Sequence, residues 1–342
     1  MAKPRPRLPP VTKAVRPSKF QPAAMFGSSS QRFIDYCREW IRSTEAPASV
    51  VNAGFTRGLP SRLAPCRQLT VRGAHWRTQP APRVKEGWAM EVLSLEAPHG
   101  RRGAGSRRAS GAGPRAKVAI GTFDGVHLGH HQVLRGCDTA LTFDPHPMRV
   151  LEPRHTPALL SDRRRKLQKL GALGIRRVAI VAFDRTWSRV PAEDFIESVL
   201  VDRLGAEFVS VGQGFRFGAR GAGTTATFAR YPELSTRVVP LVTRGPTGEP
   251  ISSTRIRRLV ADGDVELAAD LLGASFTLPA VVGDEGRLLI SSTFARPAPG
   301  FYLGYVDSHP CALRVCQDRT VAVTSTARTG THVDVTFVRR AP

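Results

Sequence analysis

The chain has 342 residues, a length that accommodates two domains. It carries 50 Lys and Arg residues against 28 Asp and Glu, which gives a formal net charge of +22. Residues 1–116 contain 21 of the basic residues and only 6 of the acidic ones. Because this excess lies largely outside the part that has the pattern of a folded domain, we expect no nucleic-acid partner. No apolar run approaches the roughly 18 residues that span a bilayer, so we expect no membrane partner either.

The five cysteines are odd in number, and no two of them have the C-x-x-C spacing of a zinc or redox site. Reduced thiols are typical of the cytoplasm, and we therefore expect a cytoplasmic protein without a bound metal of its own. The sequence leaves the oligomeric state open.

Residues 1–116 are rich in Arg, Pro, Ser and Ala and end in a Gly/Arg/Ser linker. This composition predicts a mostly disordered basic extension. An organellar transit peptide is an alternative interpretation of the Arg-rich, acid-poor start. A third is that residues 1–89 are not translated and that Met90 is the true start, since Lys85-Glu86-Gly87 can be encoded by a ribosome-binding sequence.

From Lys117 onward, apolar runs alternate with helical patterns, which predicts a parallel sheet wrapped by helices. We predict strands at 117–120, 139–143, 177–183, 207–211 and 236–242. Helices are expected from a Ser161 cap to 173, from Pro191 to 204, after Ser252, and over 264–272. After Thr277 only short strands are expected, at 278–282, 288–290, 302–306, 312–315, 320–323 and 332–338. The predicted fold is therefore an α/β domain over residues 117–277, followed by a small, truncated all-β domain over residues 278–342.

The most informative motif follows the first predicted strand, where Gly121-Thr122-Phe123-Asp124-Gly125 leads into His127-Leu128-Gly129-His130. Glycines at a strand-to-helix turn allow close approach of a phosphate, and a helix N-terminus adds unpaired N–H groups. Two histidines one helical turn apart can donate hydrogen bonds to the same phosphate. The motif therefore predicts a phosphate-binding turn.

Three further motifs follow in the chain. Asp144-Pro145-His146-Pro147 comes directly after the second strand, where a parallel sheet binds ligands. Gly212-Gln213-Gly214-Phe215 follows the fourth strand, and Ser252-Ser253-Thr254-Arg255-Ile256-Arg257 opens a helix and can grip polyphosphate. We interpreted the basic run Arg163–Lys166 as a solvated helix face without a functional role.

In this order, the motifs resemble those of the prokaryotic FAD synthetase family, whose adenylyltransferase module belongs to the HxGH nucleotidyltransferase superfamily. The resemblance implies a Rossmann-like domain that transfers AMP from ATP, with Mg²⁺, to FMN, giving FAD and pyrophosphate. It implies catalytic roles for four residues, namely His127, His130, Ser252 and Arg257. It implies ATP contacts from Gly121, Thr122, Phe123, Asp124, Gly125, Gly129, Ser253 and Thr254. It implies FMN contacts from Asp144, Pro145, His146, Pro147, Gly212 and Phe215.

Three features depart from the family pattern. Gly214 stands where the family usually has Asn or Asp. The connection from His130 to Thr139 is short, which predicts a strained helix, a displaced second strand or a loss of residues here. Nothing after Thr277 matches the Pro-Thr-Ala-Asn motif of the family's riboflavin kinase module, and Leu289–Phe294 occupies its approximate place. We therefore expect a degenerate kinase-like domain without kinase activity. A non-catalytic flavin- or nucleotide-binding paralogue, or an HxGH nucleotidyltransferase with another acceptor, remain as alternatives.

Overall fold

The computed structural model describes residues 90–98, 115–244, 248–284, 287–318, 320–323 and 328–341. Our interpretations of residues 1–89, and of most of the linker, fall outside the described residues and stay predictions.

The first part of the described chain forms one sheet in which all paired strands are parallel. Its strands are β1 (Glu91–Leu95), β2 (Ala116–Ile120), β3 (Thr139–Asp144), β4 (Arg177–Ala182), β5 (Ala206–Gly212) and β8 (Ser235–Val239). Their order is β1-β4-β3-β2-β5-β8, and β2 lies near the centre. The chain leaves β2 towards β3 and later returns to pair β5 on the other side of β2. In such sheets ligands bind beyond the carboxyl ends of the strands at this change of direction. The prediction of a parallel α/β sheet is confirmed.

Strand β1 was not predicted. It pairs in parallel with β4, from Glu91 opposite Arg177 to Leu95 opposite Val181. It lies N-terminal to residue 117, where we expected the domain to begin. The side chain of Leu95 is buried in the sheet's core, but a five-residue strand at a sheet edge has too few apolar residues to be recognised without its partner.

Helices cover both faces of the sheet. The first three are α1 (Leu128–Leu134), α2 (Pro147–Leu151) and α3 (Arg163–Ala172). A fourth begins as α4 (Ala192–Asp194) and continues as a π-helix over Phe195–Arg203. Leu134 and Leu170 belong to the core cluster on one side, and Ile196 and Leu200 belong to the cluster on the other.

The cap of α3 differs from our prediction by one residue. Asp162, rather than Ser161, precedes the helix, and its carboxylate accepts a hydrogen bond from the Arg165 backbone N–H at 2.9 Å. The hydroxyl of Ser161 instead accepts from the backbone N–H of Gly125, 3.3 Å away. The Ser161 hydroxyl, which we expected to cap α3, therefore forms a contact with a residue far away in the sequence instead.

The short connection between β2 and β3 does not displace the second strand. Val118 to Ile120 pair with Thr139 to Leu141 in regular parallel register. Helix α1 has only seven residues, and Gly136, in a left-handed conformation at φ 72°, turns the chain back. Because only the second half of β2 is paired with β3, a seven-residue helix of about 10 Å is long enough to return the chain.

The exposed end of this short helix is satisfied from another strand. The Arg237 guanidinium, from β8, donates to the carbonyl oxygens of Val133 and Arg135 and to the hydroxyl of Ser210. It also lies over the Phe208 ring, 5.4 Å from its centroid. The last carbonyls of a helix have no partner within the helix, so this arginine substitutes for the missing turn.

Helices α5 (Ser253–Asp262) and α6 (Val265–Leu272) lead into the second part of the fold. The remaining strands form an antiparallel barrel: β9 (Phe276–Val282), β10 (Arg287–Leu289), β11 (Gly300–Val306), β12 (His309–Val315), β13 (Val321–Ala322) and β14 (His332–Arg340). A separate two-stranded ribbon consists of β6 (Arg216–Phe217) and β7 (Gly223–Thr224). The barrel is closed, in the order β10-β13-β12-β11-β14-β9. The all-β domain expected to be truncated thus still forms a complete barrel, and its core is continuous with that of α5 and α6.

Replacing Arg237 with Met should lower the free energy of unfolding by about 2 kcal/mol, since the charged donor to two carbonyls of α1 is lost. Urea denaturation of the full chain measures this change. Arg230→Gln is the matched control, because Arg230 forms an exposed ion pair with Glu193 at 3.4 Å, and its replacement should change the free energy by less than about 0.5 kcal/mol. Equal stabilities of the Arg237→Met and Arg230→Gln proteins would contradict the role of Arg237.

Candidate functional site

The turn between β2 and α1 adopts an unusual backbone conformation. Phe123 and Val126 have φ angles of 49° and 47°, in the left-handed region that side chains larger than glycine rarely occupy. Both side chains are fully buried, so packing holds this conformation. Gly125 is also left-handed, at 79°. Strained turns of this kind occur preferentially where a chain binds a ligand.

His127 and His130 form a reciprocal pair at the start of α1. Their rings are stacked, with centroids 3.6 Å apart and planes inclined by 17°. The Nδ1 atom of each ring accepts a hydrogen bond from the backbone N–H of the other residue, at 3.3 Å. Because a neutral imidazole that accepts at Nδ1 carries its proton on Nε2, both rings have an Nε2–H group as a donor.

The surroundings keep both rings neutral. Burial, followed by the charges of His131, Lys169 and Arg257, lowers the pKa of His127 from 6.5 to about 4. Burial, followed by the charges of His127 and Lys166, lowers the pKa of His130 well below its usual value. The pair therefore acts as two neutral hydrogen-bond donors near pH 7.

Gly129 is required between these histidines. A Cβ atom at this position would lie 3.1 Å from the His127 ring and 3.4 Å from the carbonyl oxygen of Ile251. The missing side chain lets α1 pack against the loop before α5 without displacing the imidazole. Close packing thus gives a structural reason for glycine at position 129, in addition to the ATP contact that the resemblance implies.

Asp124 is a buried connecting residue. Its side chain is 1 % exposed, and it accepts from the backbone N–H of Leu160 at 3.0 Å and from the guanidinium of Arg257 at 2.6 Å. The Asp124 carbonyl oxygen accepts from the hydroxyl of Ser253 at 3.0 Å. The carboxylate thus ties the turn to α5 and to the segment before α3.

The serine and arginine cluster at the start of α5 lies beside the turn, and several of its members are already engaged. The Ser252 hydroxyl caps α5 by accepting from the Arg255 backbone N–H at 3.1 Å. Besides Asp124, Arg257 also binds the carbonyl oxygen of Ala158, at 2.6 Å. Thr254 is exposed on the first turn of the helix.

Arg255, which belongs to the cluster that we expected to grip polyphosphate, is engaged by the loop before α5. Its side chain is buried, and it donates to the carbonyl oxygens of Arg244 and Glu249 at 2.8 and 2.6 Å. It also forms an ion pair with the Glu249 carboxylate at 3.0 Å. Arg255 therefore braces the loop before α5.

Two lysines of α3 contact the turn, and sequence reasoning missed both. The Nζ atom of Lys166 donates to the Thr122 carbonyl oxygen, and that of Lys169 donates to the Gly125 carbonyl oxygen, each at 2.9 Å. Burial lowers the pKa of Lys169 to about 8 and also lowers the pKa of Lys166. The interpretation of Lys166 as part of a solvated face is wrong. The sequence feature that indicates its inward position is its spacing: Lys166 lies four residues before the buried Leu170, and therefore on the same side of the helix.

The Asp144–Pro147 motif forms one wall of a cleft beyond the carboxyl end of β3. The cleft is lined, among others, by Asp144, His146, Asp124, Ser161 and Lys166. His146 also caps α2 by accepting from the Met148 backbone N–H at 3.2 Å, and Pro147 is the first residue of that helix. The motif is therefore both a helix start and a cleft wall, next to the glycine-containing turn.

Gly212 and Phe215 lie away from that cleft. Gly212 is the last residue of β5 and Phe215 follows that strand, which pairs β2 on the side opposite β3. The Phe215 ring stacks on Phe217 with centroids 5.4 Å apart, and Phe217 stacks on Phe228 at 4.9 Å. The structure shows apolar packing for Phe215, and a Cβ atom at Gly214 would meet no atom within 4 Å.

A parallel sheet, a strained turn at the N-terminus of a helix, and two neutral imidazole donors define the class of site: a nucleotide- or phosphate-binding site of an α/β protein. Residues 111–255 match the FAD synthetase family model. The resemblance to that family is confirmed over this part of the chain.

Curated relatives agree with this match. The chain is 34 % identical over 186 residues to the bifunctional riboflavin kinase/FMN adenylyltransferase of Escherichia coli strain K12, and equally so to that of Listeria monocytogenes. In both comparisons 50 % of this chain aligns with 59 % of the relative. The relative from Haemophilus influenzae is 34 % identical over 175 residues, covering 47 % and 56 % of the two chains. The chain therefore spans less than two thirds of these relatives.

The fold is similar to that of a solved structure titled a macrolide-efflux protein from Streptococcus pneumoniae, with a TM-score of 0.62 and 22 % sequence identity. The superposition covers 74 % of this chain and 91 % of that chain. At that identity the likeness concerns the fold alone. Among the described residues, no helix is long and apolar enough to cross a bilayer.

Lowering the pH from about 6.5 should decrease the free energy of unfolding. The unfolded chain protonates His127 near its ordinary pKa of 6.5, whereas the folded chain keeps this ring neutral down to about pH 4, so unfolding takes up a proton in this window. Urea denaturation between pH 7 and 5 measures the slope. The His127→Gln protein should have a shallower slope than the wild type, and identical slopes would contradict the burial of a neutral His127.

Proposed function

We propose that the chain is an FMN adenylyltransferase, which transfers AMP from ATP to FMN and releases pyrophosphate. The observation that carries the proposal is the pair of neutral Nε2–H donors at the strained turn, on residues His127 and His130. The family match over residues 111–255 supports it, as do the printed names of the curated relatives.

The proposed reaction is a direct displacement. An oxygen of the FMN phosphate forms a bond to the α-phosphorus of ATP, and the bond from that phosphorus to the bridging oxygen of the β-phosphate breaks. Pyrophosphate leaves with Mg²⁺, which ATP brings through its own phosphate oxygens. No covalent intermediate on the protein is needed, so catalysis consists of positioning and of stabilising charge on phosphate oxygens.

The residues would divide this work by position. The Nε2–H groups of His127 and His130 would donate to the α-phosphate, and their neutrality lets them donate without losing a proton. Ser252 and Arg257 would contact the departing phosphates, with Ser253, Thr254 and Gly121–Gly125 around the nucleotide. The Arg257 guanidinium, already bonded to Asp124, would be held in a fixed orientation for this contact.

FMN would bind in the cleft formed by Asp144–Pro147, next to the turn. Gly212 and Phe215 would border the ligands from the β5 side of the sheet. With ATP and FMN as its partners, and with five cysteines in no disulfide or zinc pattern, we place the enzyme in the cytoplasm.

One observation favours a second function. Gly214 offers no polar side chain where the family usually has Asn or Asp, and the space beyond its Cβ position is open. A protein that binds FMN or ATP without transfer would fit this loss. Incubating the full chain with ATP, Mg²⁺ and FMN separates the two functions, since only the transferase yields FAD and pyrophosphate. An HxGH nucleotidyltransferase with another acceptor would release pyrophosphate only when that acceptor replaces FMN.

Replacing both His127 and His130 with Ala should reduce FAD formation by more than about 10³-fold, because two donors to the transition state are lost. Chromatographic detection of FAD measures the rate, and circular dichroism checks the fold. The His309→Gln protein, altered in the barrel strand β12, serves as a control and should keep wild-type activity. Full activity of the doubly substituted protein would exclude this assignment.

We also propose that riboflavin kinase activity is absent, because Leu289–Phe294 stands where the family's kinase module has Pro-Thr-Ala-Asn. The full chain, supplied with ATP, Mg²⁺ and riboflavin, should give no FMN on chromatography, while the same preparation converts FMN to FAD. Measurable formation of FMN would overturn this proposal.

A further inference from the structure

An extended segment, Ala158–Ser161, lies between the barrel and the turn that follows β2. Leu159 forms a parallel bridge with Phe294, which lies in the connection between barrel strands β10 and β11. The Leu159 N–H donates to the Thr293 carbonyl oxygen at 2.8 Å, and its carbonyl oxygen accepts from the Ala295 N–H at 2.9 Å. The neighbouring residues face the opposite way. Leu160 donates to the Asp124 carboxylate, and the Ser161 hydroxyl accepts from the N–H of Gly125. The barrel and the turn therefore bind the same segment from its two sides.

A second connection runs through helix α3. The carboxylate of Asp334, in barrel strand β14, binds the Arg164 guanidinium at 2.7 and 2.9 Å and that of Arg165 at 2.8 Å. The next residues on the same helix, Lys166 and Lys169, hold the carbonyl oxygens of the turn. The residues that meet the barrel carboxylate and those that hold the turn thus lie on one continuous helix, within two turns of each other.

Charge gives this contact its strength. Residues 163–166 are four consecutive cations, and Lys169 adds a fifth within two helical turns. Arg163 pairs with the carboxylate of Asp144, 3.8 Å away. For Arg164 and Arg165 the nearest carboxylate oxygens belong to Asp334. Although burial opposes it, the hydrogen bond from Arg164 and the charge of Arg165 lower the pKa of Asp334, so this carboxylate stays ionised. Arg164 makes two charge-assisted hydrogen bonds to this carboxylate, and Arg165 adds an ion pair, so the contact is strong.

We propose that the barrel is a working part of the transferase site, with Asp334 as a positioning residue that acts through α3 and with Thr293–Ala295 as a backbone clamp on Leu159. Together they set the position of Lys166, Lys169 and Leu160, which hold the turn in front of the histidine pair. This inference rests on the proposed function. It gives the barrel a role that requires no kinase chemistry, and it uses the residues that stand in place of the kinase motif.

The test compares isosteric substitutions in the full chain. Asp334→Asn keeps the size of the side chain but removes its charge, and kcat/KM for ATP should fall about tenfold, since a displacement of ~1 Å in a catalytic site can cost as much as 10²-fold. Asp318→Asn is the matched control, because Asp318 is a carboxylate at the end of the barrel that accepts hydrogen bonds from the nearby Thr320, at 2.9 and 2.7 Å, rather than from the arginines of α3. It should keep wild-type kcat/KM. Unchanged kcat/KM in Asp334→Asn, or an equal fall in both proteins, would overturn the proposal.

Arg164→Gln removes the same contact from the other side and keeps the test valid if Asp334→Asn folds poorly. Arg164→Gln should also lower kcat/KM, and the doubly substituted protein should be no worse than Asp334→Asn alone. Additive losses would show that the two side chains act independently and would contradict the proposed route.

A measurement without substrate separates this inference from the proposed function. The ring carbon–hydrogen resonances of His127 and His130, assigned with the His127→Gln protein, should shift in Asp334→Asn and stay in place in Asp318→Asn, because the lysines near the rings move only in the former. Unshifted resonances in Asp334→Asn would refute the positioning role. If Asp334→Asn shows these shifts but the wild-type protein makes no FAD, the proposed function is refuted and the positioning role is supported.

Discussion

The carboxylate of Asp124 is almost completely buried, and it is bonded to the Leu160 backbone and to the Arg257 guanidinium. A buried charge without partners destabilises a fold by several kcal/mol, so this pairing is a condition for the folded state. It brings together three parts of the chain: the turn after β2, the segment before α3, and helix α5. The backbone strain at Phe123 and Val126 persists because these contacts hold the turn from several sides.

The site combines neutral donors with a positive field. Burial and neighbouring cations keep the imidazoles of His127 and His130 uncharged, while Lys166, Lys169 and Arg257 supply the charge around them. Such an arrangement suits a polyanionic ligand, since the cations attract it and the imidazoles orient one phosphate by directed hydrogen bonds. The barrel extends this arrangement. Its Asp334 carboxylate pairs with Arg164 and Arg165 of α3, while Lys166 and Lys169 of the same helix contact the turn.

Much of the fold could be predicted because its signals are local. Most strands of the parallel sheet are short apolar runs bounded by turn residues, and the predicted end of the 264–272 helix follows from the left-handed conformation that Gly273 adopts easily. The turn from Gly121 to His130 was recognisable because its glycines and histidines are adjacent in sequence. The cleft wall at Asp144–Pro147 was predicted from the place of the motif after a strand.

The remaining features depend on contacts between distant residues. Strand β1 forms because β4 offers a partner 86 residues away, and Arg237 completes a helix more than 100 residues before it. The two lysines, the engagement of Arg255 with Glu249, and the closure of the short barrel were likewise decided by packing. Asp334 and Arg164 are 170 residues apart, and no local pattern relates them. The sequence by itself determined most of the elements from β2 onward and the position of the glycine- and histidine-containing turn, because backbone preference and apolar periodicity act over a few residues. Only the tertiary structure decided which charges meet, because a charge takes its partner from whatever the fold brings within about 4 Å of it.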